Sequence, residues 1–260
     1  MSFQDIVSPS GDVLVEKMTF ELPRGSHCFV SGPNGCGKTV KKRTRDFDIF
    51  LSMQSLFRVV AGLWPVVRGS ATRPREAIFF VPQRPYLSLG TLRDQITYPI
   101  PIEEVRKRGL SDDDLLAIME QVKLTYIVVN HGGLDSVKNW KDTLSGGEKQ
   151  RIAMARLFFH RPAYAILDES TSACQIDVEQ HMYSEAKRLG ISLITVSHRA
   201  TLWKFHDYLL TMDGRGGWSF SPMDKAALAG KQETVASLSL REEKRDLEKR
   251  MAEIDNLLAK

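Results

Sequence analysis

What this chain lacks narrows its class before any motif is read. Cysteine is scarce: Cys28, Cys36 and Cys174 stand far apart with no C-x-x-C spacing. Neither a zinc site nor a disulfide framework is indicated, and a reducing compartment is the default. An excess of one charge is missing too, since the formal net charge is +4 and no basic block is interleaved with aromatics. Composition therefore makes no case for a nucleic-acid partner. No signal peptide opens the chain, and no charge-free run of about 18 apolar residues occurs, so any membrane span is expected from another segment. What is present is 42% hydrophobic residues over 260 positions, ample for one large core or two small ones.

The chain is organised around Ser31-Gly32-Pro33-Asn34-Gly35-Cys36-Gly37-Lys38-Thr39, entered from the apolar run Cys28-Phe29-Val30. Glycines at 32, 35 and 37 let the backbone turn tightly and bring successive N–H groups close to an anion. Lys38 adds a full positive charge, Thr39 is the hydroxyl such loops place on Mg²⁺, and a following helix would aim its positive end at the same phosphates. The loop reads as a nucleotide-phosphate cradle. Ahead of it, Val13-Leu14-Val15 and Met18-Thr19-Phe20 predict antiparallel strands, with Pro23-Arg24-Gly25 turning into the loop-bearing strand. Met1 lies so near the first strand that the chain reads as a fragment or a late start.

The helix that should anchor the loop does not follow at once. Val40 to Asp48 is strongly charged, and apolar helical spacing begins only at Ser55, running to Gly62-Leu63-Trp64-Pro65. Residues 40–54 thus read as inserted. Three explanations stand side by side: a nuclear-targeting basic patch, a solvated charged stretch, or a short in-frame intron. The last arises because valine codons begin with GT and one glutamine codon ends in AG.

Further along, Ala77-Ile78-Phe79-Phe80-Val81 predicts a buried strand leading to Gln83, whose amide could reach a metal ion or water beside the phosphates. Ser111 and three aspartates cap a helix with Leu115, Ile118, Met119 and Val122 on one face, which reads as scaffold. Leu144-Ser145-Gly146-Gly147-Glu148 opens a second helix whose N-terminus could bind an anion. Ala163 to Leu167 predicts a buried strand delivering Asp168 and Glu169 to the edge where α/β sheets bind ligands. Side-chain alternation would turn one toward a metal and the other toward an attacking water. Ser192 to Ser197 predicts another strand, ending at His198 on the same edge, a candidate contact to a terminal phosphate. Tyr208 to Met212 and Gly217 to Phe220 close the domain as strands.

In this order the segments resemble the Walker A, Q-loop, signature, Walker B, D-loop (Ser172 to Asp177) and H-loop of ABC-type ATPases. Gly62-Leu63-Trp64-Pro65, Pro82-Gln83-Arg84-Pro85-Tyr86, Thr91-Leu92-Arg93-Asp94-Gln95, Ser197-His198-Arg199 and Gly216-Gly217-Trp218 narrow the resemblance to subfamily D, the peroxisomal fatty-acyl-CoA transporters. The resemblance implies a P-loop α/β fold with a mostly parallel core sheet, an antiparallel β subdomain and a helical signature subdomain. It also implies a second ABC ATPase domain as partner, ATP being sandwiched between the 32–39 loop of one copy and Ser145-Gly146-Gly147 of the other. Glu169 would orient or deprotonate water, and His198 would hold the γ-phosphate. Mg²⁺ would sit on Thr39 and Gln83 with Asp168 behind it. The implied work is ATP-driven transport through a transmembrane domain missing from this chain, at the cytosolic face of the peroxisomal membrane. The family's adenine-stacking aromatic is replaced here by Ser8-Pro9-Ser10-Gly11.

The domain is expected over residues 1–225, followed by a linker over 226–236. Over 237–260, Leu240, Leu247 and Ile254 lie seven apart, with Met251 and Leu258 on the alternate seam, which predicts an amphipathic helix or short coiled coil. Two rivals share the motifs: a soluble ABC ATPase without a transport role, and a nucleotide-binding fragment impaired by residues 40–54.

Overall fold

The structure, a computed structural model, describes residues 2–7, 13–16, 18–31, 68–70, 78–213 and 217–224. The glycine loop from Gly32 to Thr39, residues 40–54, the helix expected from Ser55, residues 8–11, the 226–236 linker and the 237–260 helix lie outside the described residues.

Strand β1 (Ser2–Val7) pairs antiparallel with β2 (Val13–Glu16). Next in the chain, β3 (Cys28–Ser31) belongs to the main sheet, while β4 (Arg68–Ser70) returns to β1, giving a small antiparallel sheet in the order β2-β1-β4. The antiparallel strand expected at Val13–Val15 is present, paired with β1, whereas the one expected at Met18–Phe20 is not. The second stretch carries only a single bridge position, at Thr19. Its apolar side chains are used elsewhere, because Val15, Met18 and Phe20 are buried in one cluster with Cys28, Val30, Ile166, Ile194 and Val196 of the main sheet.

After β5 (Phe79–Val81) the chain leaves the main sheet and builds a helical lobe before returning. The lobe holds β6 (Gly90–Thr91), α1 (Leu92–Thr97), α2 (Ile102–Lys107), α3 (Asp112–Gln121), α4 (Thr125–Asn130), β7 (Val137–Lys138) and α5 (Trp140–Thr143). Ser111 and Asp114 form the expected reciprocal cap, and Leu115, Ile118, Met119 and Val122 are all buried. Arg93 anchors the lobe, its guanidinium reaching Asp112 on α3 and Asp135 in the loop before β7. Buried Trp140 donates its indole N–H to the Gly90 carbonyl at 3.0 Å.

Helix α6 (Gly146–His160) leads out of the lobe, and Arg161 stops it in a left-handed conformation at φ 44°. The remaining elements are β8 (Tyr164–Asp168), α7 (Ile176–Arg188), β9 (Ser192–Val196), a 3₁₀ turn over Ala200–Phe205, β10 (Tyr208–Met212) and β11 (Trp218–Pro222). The main sheet has the order β11-β10-β3-β9-β8-β5, parallel except for the β10–β11 edge pair. Both faces are covered, as a parallel sheet requires. Along β8, Ala165 and Leu167 enter the core shared with the helices, while Ile166 points to the opposite cluster.

Candidate nucleotide site

Register decides where the candidate residues end up. Asp168 on β8 lies beside Val196 on β9, Val196 lies beside Val30 on β3, and Leu167 lies beside Val81 on β5. Four parallel strands therefore finish level at their C-terminal ends. Ser31, the entrance to the glycine loop, follows Val30 directly, Glu169 follows Asp168, Gln83 stands two residues beyond Val81, and His198 two beyond Val196. The rim of the sheet gathers these positions, the usual ligand edge of an open α/β sheet.

At that rim the two carboxylates part company, though not by strand alternation as expected. Asp168 is the last residue of β8, and Glu169 takes a left-handed turn at φ 48° while its N–H donates to the Val196 carbonyl at 3.0 Å. Such a backbone is uncommon for a residue with a side chain. The Glu169 side chain is only 14% exposed, and its Oε1 lies 3.4 Å from Nε2 of His198, which is well exposed. Burial pushes the Glu169 carboxyl above its ordinary value; the charge of Asp168 adds to this and His198 opposes it. Oε1 is buried and has no hydrogen-bond partner among the described residues. A carboxylate oxygen held in that condition is an acceptor awaiting a proton or a donor.

The side chain of Gln83 is exposed. Its backbone carbonyl accepts a hydrogen bond from Gln150 Nε2 at 3.3 Å, which links it to α6. At the start of α6, the Ser145 hydroxyl accepts the Glu148 N–H at 3.3 Å, and the Glu148 carboxylate accepts the Ser145 N–H at 2.7 Å. Tyr126 donates its hydroxyl to the other Glu148 oxygen at 2.6 Å. Ser145 and Gly146 are exposed and Gly147 half-buried; a Cβ on Gly147 would sit 2.7 Å from the Ala173 carbonyl oxygen. Glycine is needed at 147 for that close approach of two backbones, whatever else the segment binds.

Sequence reasoning missed three side chains. Gln150, buried in the first half of α6, touches the Gln83, Glu169 and Ser172 segments together. Arg199 donates to the Ser172 carbonyl at 2.7 Å and the Cys174 carbonyl at 3.0 Å, and pairs with fully buried Glu179 at 3.1 Å. In the sequence these are a glutamine on a helix and an arginine and glutamate of ordinary type. For Gln150 and Glu179 the only signal was a polar residue on a helix face that proves to be inward; Arg199 stands in the loop after β9.

The donors present suit a magnesium nucleotide. The carboxylate at 168 and the amide at 83 are hard oxygen donors of the kind Mg²⁺ takes. Among the described residues no three His, Cys, Asp or Glu side chains form a metal cage.

The profile of the ABC transporter family matches residues 54–172. ATP-binding cassette sub-family D member 3 of Mus musculus is 50% identical over 216 residues, covering 83% of this chain and 30% of that protein. The chain carries an ABC transporter domain. Nucleotide binding and ATP hydrolysis are the business of such a domain. ATP-binding cassette sub-family D member 1 of Drosophila melanogaster is 45% identical over 224 residues, 84% of this chain and 28% of that protein. The chain thus spans about 30% of the length of these curated relatives. A solved inward-facing structure of a metal-chelate type ABC transporter superimposes with a TM-score of 0.60 at 18% identity, covering 86% of this chain and 82% of that one. The shared architecture is the P-loop ATPase fold, with the parallel sheet, antiparallel sheet and helical lobe already described.

Proposed function

We propose that this chain is the energising part of a subfamily D transporter, hydrolysing ATP to drive fatty acids or fatty-acyl-CoA through a membrane domain carried elsewhere. The observation that supports it is the level rim at which Ser31, Gln83, Asp168–Glu169 and His198 converge. On this reading the backbone amides of residues 32–39 and Lys38 hold the phosphates. Thr39 and Gln83, with Asp168 behind them, would hold Mg²⁺, which when bound would neutralise charge in phosphoryl transfer. Glu169, with its raised affinity for protons and an Oε1 that faces His198 at 3.4 Å without a hydrogen bond, takes a proton from water, and His198 steadies the terminal phosphate. The start of α6, with Ser145 and Gly146 exposed and Gly147 half-buried, closes the site of a second ABC domain. The peroxisomal membrane, cytosolic face, is the proposed place of work.

The deciding experiment compares steady-state ATP hydrolysis of the chain with that of Glu169→Gln. Losing a general base removes on the order of 10²-fold or more in rate. Equal rates would dismiss Glu169 from the role. Joined to its membrane domain in vesicles, the same substitution should stop ATP-dependent uptake of a fatty-acyl-CoA.

A second reading, an impaired nucleotide-binding fragment, has one observation in its favour. The family match starts at residue 54, the last of the 40–54 segment, and so omits the phosphate loop. On that reading ATP affinity is weak until residues 40–54 are removed.

A further inference from the structure

We infer that Gln150 is the positioning residue for the hydrolytic rim, a buried amide that fixes Glu169 and the Gln83 segment with respect to each other. The proposal rests on the reading of Glu169 as proton acceptor. Gln150 is 4% exposed, and both ends of its side-chain amide are bonded to groups around the site, the Cys174 thiol among them at 3.9 Å from Oε1. Its Nε2 lies 3.3 Å from the Gln83 carbonyl, 3.3 Å from the Glu169 carbonyl and 3.2 Å from Ser172 Oγ. Two N–H hydrogens serve three acceptors, so the bonds are shared and the geometry tolerates little drift. Its Oε1 accepts the Ala173 N–H at 2.8 Å.

Two chain segments far apart in sequence are thus tied by a single side chain: the loop after β5, and the turn after β8 from Glu169 to Ala173. The Glu169 carbonyl is the most telling partner. Glu169 sits at φ 48°, a backbone state that persists only when surrounding contacts hold it. Three contacts hold its peptide groups: the N–H donates to the Val196 carbonyl at 3.0 Å, and the carbonyl accepts both Gln150 Nε2 at 3.3 Å and the Ser172 N–H at 3.2 Å. Without the amide, the peptide after Glu169 keeps only the Ser172 N–H, a contact within the same turn that moves with it, and can relax toward an ordinary conformation. That rotation would carry the carboxylate away from the water it must meet. The Gln83 carbonyl would be released in the same step, so both sides of the proposed cation site lose their spacing together.

No phosphate or nucleotide contact is assigned to Gln150, and its loss should leave nucleotide binding by the 32–39 loop intact. The effect belongs to turnover. A displacement of about 1 Å at a reacting group costs on the order of 10²-fold in rate.

The test uses Gln150→Met, an unbranched replacement of similar length without donors, in the full chain, with ATP hydrolysis and amide hydrogen exchange both measured. Expected are a kcat lowered roughly 30- to 100-fold and an ATP KM within about threefold of the parent. Amides at 169 and 173 should exchange at least about tenfold faster, while those of Ile166 and Leu167 inside β8 stay unchanged. Gln150→Glu retains an acceptor for Ala173 but has no donor for the two carbonyls, and should match Gln150→Met in kcat. A merely structural role would lower the melting temperature and leave kcat intact, and that outcome overturns the proposal. So does unchanged exchange at Glu169 in whichever variant melts cooperatively. If instead Glu169→Gln hydrolyses ATP at the parental rate, the assignment of the base fails, and the exchange data alone decide whether Gln150 holds that turn.

Discussion

At Gly147 a single hydrogen atom decides whether two backbones can meet. Alanine there would place its Cβ 2.7 Å from the Ala173 carbonyl oxygen, and backbone cannot swing aside as a long side chain can. Gly147→Ala should therefore push α6 and the 172–174 turn apart and lower hydrolysis, while circular dichroism stays near parental. His206 is a second residue with a sharp expectation. It is fully buried, its Nδ1 lying 2.8 Å from the Leu202 carbonyl and its Nε2 2.8 Å from the Thr195 hydroxyl. A carbonyl only accepts, so the proton is on Nδ1 and Thr195 donates to Nε2. Burial holds the imidazole at about 4 against an ordinary 6.5. The unfolded chain therefore takes up a proton before the folded chain does. The stability tied to this group is complete above about 6.5 and is lost as pH falls toward 4, on the order of 3 kcal/mol in all. Urea melts at pH 7 and 4.5 should show that slope, and His206→Gln should flatten it.

Elements show where sequence reasoning succeeds and where it fails. The α3 helix was legible because its signals are local: a serine cap, acidic residues in the first turn, apolar residues at helical spacing. Ser111→Ala should cost about 1 kcal/mol in a thermal or urea melt, a loss confined to the helical lobe. Strands β8, β9 and β10 were legible for a related reason, since a parallel strand buried on both faces reads as an unbroken apolar run. β1 was not. Ser-Phe-Gln-Asp-Ile-Val has no such run, and its strand state comes from neighbours at residues 13–16 and 68–70 that pair with both its edges. The left-handed turn at Glu169 was equally invisible, because glutamate carries no preference for it. Gln150 and Arg199 were missed because their importance lies in which carbonyls the fold brings to them. The candidate rim itself could be read, each member standing just after an apolar run.

At the scale of the whole molecule, the two segments most unlike the rest of the chain are 40–54 and 237–260. Removing residues 40–54 should tighten ATP binding, measured by displacement of a fluorescent nucleotide; unchanged affinity would show that the segment is accommodated. Removing residues 237–260 should weaken self-association in sedimentation experiments if the leucine spacing there pairs two copies. Strand order carries one more consequence. β3 and β8 are not neighbours: β9, which comes later than both in the sequence, lies between them. A ribosome that has released the chain only as far as Glu169 has made the phosphate loop and both carboxylates, yet nothing joins their strands. Two apolar edges face each other across an empty slot until Ser192–Val196 emerges and fills it. Nascent chains halted before residue 190 should be captured by holdase chaperones and cleaved readily by protease, and chains released past β9 should escape both.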